Sequence, residues 1–169
     1  EHLSELFFHC AESRQTRTKI PHPKIAVMKQ QQSYCTNKDQ MSPIFKNISA
    51  VVLGWIGGSF INMGLIRTGH SLFPILGVDP NDMNALAEVM PTLEFEYFIF
   101  PFLAHALGTF VGAIVASLIA ANHKMKFALA IGGLFLLGGI IVNYMLPGPT
   151  WFAVADIVLA YIPMAWLGG

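Results

Sequence analysis

Long apolar blocks dominate the sequence after about residue 41. Four of them cover residues 47–66, 97–121, 127–146 and 151–167. About twenty helical residues, rising ~1.5 Å each, cross the ~30 Å hydrocarbon core of a bilayer. A soluble fold would have to bury four helices that have almost no polar face, and a domain this small cannot cover them. The pattern therefore predicts an all-α, polytopic membrane protein built as a four-helix transmembrane bundle.

The connections between these blocks predict how neighbouring spans run. Residues 122–126 form a very short basic link, and Pro147-Gly148-Pro149 separates the third and fourth spans. Short links make antiparallel neighbours. Pro101 in the second span and Pro163 in the fourth each remove a backbone hydrogen bond, so we expect a bend at both positions.

The segment between the first and second spans, residues 68–93, is too long for a simple turn. Asp79 followed by Pro80 is typical of a helix start, with a capping side chain and then proline in the first turn. Apolar side chains then recur at helical spacing until Pro91; they are Met83, Leu86, Ala87 and Met90. We predict a short amphipathic helix on the outer membrane surface, which serves either as a lid or docking face or simply as a cover for the bundle.

Charge distribution predicts the orientation. Lysines flank the first span on its N-terminal side and lie between the second and third spans; they are Lys38, Lys46, Lys124 and Lys126. Residues 68–96 instead carry five carboxylates and no lysine or arginine. By the positive-inside rule, both termini are cytoplasmic. Only 12% of the chain is charged, against roughly 25% in soluble domains, and the formal net charge is zero, so nothing indicates a nucleic-acid partner.

The first forty residues differ in character from the rest. Residues 1–40 are polar and carry both cysteines, Cys10 and Cys35, without the apolar core of a secretory signal. We expect this stretch to be disordered, either as a genuine cytoplasmic tail or as sequence upstream of a true start at Met41. The two domains predicted are thus 1–40 and the transmembrane domain 41–169.

Small residues at four-residue spacing predict close helix packing. The second span carries five of them and the first span three: Ala104, Gly108, Gly112, Ala116 and Ala120, and Ala50, Gly54 and Gly58. Four-residue spacing places side chains on one helix face. In lipid, close backbone approach and interhelical hydrogen bonds hold helices together. The stripes therefore predict tight packing, either within one bundle or between protomers.

Four polar side chains, one in each span, are out of place in lipid: Asn62, His105, Asn143 and Asp156. Counted from each span's midpoint at ~1.5 Å per residue, all four fall in one layer toward the outer side. An ionised carboxylate facing lipid costs about 2.5–3.5 kcal/mol, so Asp156 should face the bundle and pair with His105. A neutral Asp156 would instead donate a hydrogen bond to Asn62 or Asn143. The layer is either a structural polar clamp or a ligand or proton site.

Two sequence runs carry a family resemblance. Phe100 to Thr109 (FPFLAHALGT) and Met145 to Phe152 (MLPGPTWF), with Asp156 following, resemble small four-span bacterial proteins usually described only as hypothetical membrane proteins. The resemblance covers residues 41–169 and implies a multi-pass protein of the bacterial inner membrane. It implies no activity.

Characterised four-span classes fit the sequence poorly. Small multidrug transporters need a carboxylate in the first span, thiol oxidoreductases need paired cysteines, and membrane cytochromes need two haem ligands, whereas His105 is the only histidine within a span. We therefore predict no enzyme activity, no cofactor and no metal. The leading hypothesis is an accessory subunit of a larger membrane complex, or a small-ligand binder. The alternative is a proton-coupled small-molecule transporter that acts as a homo-oligomer through the His105–Asp156 pair.

Overall fold

The hydrophobic blocks form helices in the computed structural model, which describes residues 42–169. The predicted tail 1–40 and the proposed start at Met41 lie outside the described residues. The described part is entirely helical, without strands. Its elements are α1 (Pro43–Leu72), α2 (Met83–Val89), a 3-10 turn (Met90–Thr92), α3 (Glu96–Ile119), α4 (Lys124–Met145), α5 (Thr150–Leu159) and α6 (Ile162–Gly168). With α5 and α6 taken as one segment, four helices are long and apolar enough to cross a membrane.

The first helix is longer than the apolar block that predicts it. It continues past Ile66 through polar sequence to Leu72. Two hydroxyls in this extension, those of Thr68 and Ser71, donate to the carbonyl oxygens of Gly64 and Arg67 at 2.9 and 3.0 Å. Side-chain bonds to the preceding turn are compatible with a continuing helix, and hydropathy alone does not detect such an extension.

The short helix between the first two long helices exists, but it starts later than the sequence pattern predicts. Asp82, not Asp79, is its N-cap, because the Asp82 carboxylate accepts from the backbone N–H groups of Asn84 and Ala85 at 3.0 and 3.1 Å. Asp79 instead accepts from the Asn81 backbone at 2.9 Å, which closes a local turn before the helix. Both aspartates can cap a backbone, and only the path of the chain selects between them.

α3 is the central helix, because α1, α4 and α6 all pack against it. In its most apolar window 44% of residues are buried, against 17% for α1, which therefore lies at the edge of the bundle. The seam between α1 and α3 uses the predicted small residues. A Cβ added to Gly58 would lie 2.5 Å from the Gly108 carbonyl oxygen, and one added to Gly54 would lie 2.7 Å from that of Gly112. The two backbones thus touch and run antiparallel.

α3 also contacts α4 and α6, through three fully buried alanines: Ala113, Ala128 and Ala165. The Ser117 hydroxyl contacts the carbonyl oxygen of Gly168 at 3.2 Å, near the end of α6. Gly132 on α4 faces Ala165, and an added Cβ would lie 2.5 Å from the alanine methyl group. The stripes therefore pack within one bundle, which answers one of the alternatives left by the sequence.

The fourth apolar block is broken into two helices. Proline at position 163 has no N–H to donate to the carbonyl of Leu159, where α5 ends. The chain turns at Ala160 and Tyr161, with Tyr161 at φ −114° and ψ −77°, and α6 begins at Ile162 with Pro163 in its first turn. The predicted bend at Pro163 is thus a break, and it changes the direction in which Tyr161 points.

Candidate functional site

The Asp156 carboxylate, on α5, is completely buried and is the centre of a polar group. Its Oδ1 lies 2.8 Å from His105 Nδ1. Its Oδ2 accepts from the Tyr161 hydroxyl at 2.7 Å and from Asn143 Nδ2 at 3.2 Å. The carboxylate on α5 thus has partners from α3, from α4 and from the break after α5, and both of its oxygens are hydrogen-bonded. We call Asp156, His105, Tyr161 and Asn143 the polar tetrad.

His105 comes from the centre of α3, one turn after Pro101. Its backbone carbonyl accepts from the Thr109 hydroxyl at 2.7 Å, within the same helix. Its Nδ1 faces both Asp156 and the Tyr161 oxygen, the latter at 3.0 Å. The side chain is 13% exposed. Since Nδ1 holds the contacts to the tetrad, the other ring nitrogen, Nε2, points away from Asp156.

The Nε2 atom of His105 has no hydrogen-bond partner among residues 42–169. Every buried side-chain nitrogen and oxygen in that part of the chain does have a partner. The Nε2 atom is therefore among the accessible atoms of the ring. A histidine whose Nδ1–H is held by a carboxylate presents Nε2 as an acceptor or a base.

Asn143 is near the C-terminal end of α4. Its Nδ2 donates twice, to the Gly139 carbonyl at 3.0 Å and to Asp156 Oδ2 at 3.2 Å. Asn143 thus acts as a donor to the carboxylate, as it would toward an ionised Asp156. A bond to the preceding turn holds the amide in place, so its position does not depend on Asp156 alone.

Tyr161 is the member of the tetrad that the sequence pattern does not indicate. It lies five residues after Asp156, a separation that places two side chains on different faces of a continuous helix. The break at Pro163 removes that constraint. Gly139 supplies the space, because a Cβ there would overlap the Tyr161 ring. The signals that could have found it were Pro163 just after a tyrosine and a glycine one helical turn before Asn143.

Asn62, the fourth predicted residue, lies beside α3 but outside the tetrad. A Cβ added to Gly108 would lie 3.0 Å from that of Asn62, so the two helices touch there. The side chain is half-buried and makes no hydrogen bond within the described residues. The structure therefore brings together His105, Asn143 and Asp156 from the predicted layer, and leaves Asn62 at the contact between α1 and α3 without a hydrogen bond to them.

The side chains of the tetrad are suited to acid–base chemistry. Within residues 42–169 there is no group of three or more His, Cys, Asp or Glu side chains that could hold a metal ion. The tetrad carries one carboxylate, one imidazole, one phenol and one amide. Such a set can hold a proton, or a partner that hydrogen-bonds to Nε2, at the junction of α3, α4 and α5.

Together the fold and the tetrad define a small helical protein with four helices long and apolar enough to cross a membrane and one buried carboxylate among them. No protein-family model, curated protein or solved structure matches the chain.

Proposed function

We propose that this chain is a multi-pass integral membrane protein that binds a small ligand at the polar tetrad. The apolar surface supports insertion into a bilayer. Large side chains such as Phe60, Leu118 and Val158 are 75%, 71% and 58% exposed, and the exposure of many such side chains is unfavourable in water. The lysine distribution supports a topology with both termini in the cytoplasm, and the family resemblance supports the bacterial inner membrane.

One observation carries the ligand proposal: Asp156 is fully buried and bonded on both oxygens, while His105 Nε2 stays accessible. A polar clamp needs only mutual satisfaction of its members. The tetrad satisfies the carboxylate with three donors and still presents one unused nitrogen. That nitrogen can accept a proton or a ligand N–H or O–H group.

The same pair supports a second candidate, a proton-coupled small-molecule transporter that acts as an oligomer. The favouring observation is the continuous contact from the accessible ring of His105 to the buried carboxylate, which lets a proton be taken up on the ring and balanced by Asp156. Transport requires a stable oligomer, because four helices enclose too little space for a pathway. Measuring the mass of the purified protein in detergent separates this candidate from a monomeric binder.

The test of the ligand proposal separates it from an accessory subunit with a structural clamp. The full chain, its Asp156→Asn variant and its His105→Ala variant are purified in mild detergent, and the free energy of unfolding is measured between about pH 5 and 8. We expect Asp156→Asn to lose no more than about 1 kcal/mol, because a rotated amide donates to His105 Nδ1 and accepts from Tyr161 and Asn143. The His105 15N resonances should shift in Asp156→Asn, because Nδ1 then accepts a hydrogen bond in place of its contact with the carboxylate.

A loss of about 3–5 kcal/mol in both variants would contradict the ligand proposal, since that is the cost of breaking a buried pair kept for structure. The accessory-subunit hypothesis would then be favoured, and co-purification with a larger membrane complex would be its next test. Tyr144→Phe is the matched control, because Tyr144 is 88% exposed and lies outside the tetrad.

A further inference from the structure

The charge of the tetrad is isolated within the apolar part of the bundle. Asp156 is the only Asp, Glu, Lys or Arg in the four apolar blocks. The basic residues of the described helices lie toward their ends; they are Lys46, Arg67, Lys124 and Lys126. The contact between Asp156 and His105 is the one ion pair among residues 42–169. A negative charge on the tetrad is therefore balanced by a proton or by a cation that enters from outside.

The groups around the pair leave few ways to balance that charge. α1 contributes the neutral amide of Asn62 to the neighbouring seam, and α4 contributes the neutral amide of Asn143. The break between α5 and α6 contributes Tyr161, whose hydroxyl donates to Asp156. His105 and Asp156 are thus the acid–base pair, and Tyr161 is the one other titratable side chain bonded to it.

The charge of the His105–Asp156 pair depends on whether Nε2 carries a proton. With one proton between Nδ1 and Oδ1, the pair carries one negative charge. A second proton on the imidazole makes the pair neutral, and Nε2 is then a donor. A buried uncompensated charge is expensive in a membrane, so the one-proton state is favoured only when something positive binds beside it.

We infer that the ligand is a small ammonium ion, and that it replaces the second proton of the His105–Asp156 pair. The inference rests on the proposed function and names the ligand class for the same site. The ammonium N–H donates to Nε2, and its charge balances Asp156 across the imidazole. One cation enters and one proton leaves, so the charge of the site stays constant.

The accessible area of the site limits the ligand. His105 is 13% exposed and Asp156 is fully buried, so the ligand reaches the ring and not the carboxylate. A primary ammonium group presents three N–H donors on a compact head and matches a single acceptor. A quaternary ammonium has the same charge but no N–H, so it cannot make this bond.

The experiment uses the full chain in detergent with methylammonium chloride as probe, and tetramethylammonium chloride and sodium acetate as comparisons. Calorimetry in two buffers of different ionisation enthalpy counts the protons released on binding. We expect about one proton to be released per methylammonium bound. Where the free pair holds two protons, the affinity for methylammonium should fall about tenfold for each unit by which the pH is lowered. Tetramethylammonium should bind at least about tenfold more weakly, which is the loss of one hydrogen bond.

Each of the other outcomes would contradict a different part of the inference. Binding of acetate with uptake of a proton would overturn the ammonium class and leave the ligand site in place. Equal binding of methylammonium and tetramethylammonium would overturn the N–H contact to Nε2. Absence of binding by all three probes, while Asp156→Asn keeps the stability of the parent, would overturn the exchange of cation for proton. Absence of binding together with strong destabilisation of both Asp156→Asn and His105→Ala would overturn the proposed function as well. Asp156→Asn should abolish the proton release, whereas Tyr144→Phe should retain it.

Discussion

The Tyr161 hydroxyl donates a 2.7 Å hydrogen bond to Oδ2 of Asp156, five residues earlier in the same apolar block. A straight helix would carry these two side chains on different faces. The break ahead of Pro163 turns Tyr161 back over α5, and Gly139 leaves room for its ring. Pro163, where the sequence predicts only a bend, therefore lets Tyr161 complete the hydrogen bonding of the buried carboxylate.

Removal of the Tyr161 hydroxyl should destabilise the protein. In Tyr161→Phe, Oδ2 of Asp156 keeps Asn143 as its only donor, and the ring still fills the space beside Gly139. We expect a loss of about 1–3 kcal/mol in the free energy of unfolding, the cost of a buried polar group that loses a partner. Denaturing-detergent titration measures it. Unchanged stability, equal to that of Tyr144→Phe, would show that the bond contributes nothing.

Two adjacent glycines on α4 allow a matched test of the space that Tyr161 occupies. A Cβ at Gly139 would overlap the Tyr161 ring, whereas one at Gly138 meets nothing within 4 Å. Gly139→Ala should therefore lose about 1–3 kcal/mol of stability through overpacking, and Gly138→Ala should lose none. Thermal unfolding in detergent distinguishes them. Equal effects of the two substitutions would contradict the position of the ring.

The seam between α1 and α3 should reject even one methyl group. A Cβ at Gly58 would lie 2.5 Å from the Gly108 carbonyl oxygen and 2.8 Å from the Phe135 ring. Gly58→Ala is expected to lower the free energy of unfolding by about 1–3 kcal/mol. Gly64→Ala, on the same helix with open space around it, should be neutral or stabilising by up to about 1 kcal/mol. If Gly58→Ala matched that control, the two backbones would not be in contact.

The capping role of Asp82 predicts a local effect. Asp82→Ala removes the acceptor for the N–H groups of Asn84 and Ala85, at a cost of about 1 kcal/mol to α2. Hydrogen exchange of residues 83–89 should accelerate about fivefold. Asp79→Ala, which loses only the two bonds from the backbone and side-chain amides of Asn81, should leave that exchange nearly unchanged. A larger effect from Asp79→Ala would show that Asp79, the residue that the sequence pattern predicts, caps the helix.

The proposed topology predicts opposite labelling of two exposed loops. In a chain with Cys10→Ser and Cys35→Ser, a cysteine at Asn81 or at Asn122 provides one thiol for a membrane-impermeant maleimide. We expect intact cells to label Asn81→Cys and to protect Asn122→Cys until lysis, because the lysine-rich link faces the cytoplasm. The reverse pattern would place both termini outside, and labelling of both sites in sealed cells would contradict a membrane barrier between them.

Part of the candidate site was predictable, because the free-energy cost of exposing a carboxylate to lipid constrains where it lies. A carboxylate in an apolar block must be buried and paired, so the expectation that Asp156 meets His105 needs no coordinates. The structure adds the 2.8 Å contact and the donor role of Asn143. Depth along the helices also placed Asn62 in the layer, but depth does not give rotation. Asn62 continues the α1 stripe and packs against Gly108 at the α1–α3 seam, and it makes no hydrogen bond to the tetrad.

What the sequence by itself determined is the helices and their closest contacts. The lengths of the apolar blocks predict four helical segments, because no other element accommodates so many consecutive apolar residues. The glycine stripes predict where α1 meets α3. Tertiary structure decided the rest: that Asp82 caps α2, that the last block breaks at Ala160 and Tyr161, and that Tyr161 joins Asp156. These three features depend on the direction that the chain takes after a turn, and the spacing of residues along the chain does not encode that direction. The burial of apolar residues and the close approach of helices follow instead from which residue types recur at helical spacing.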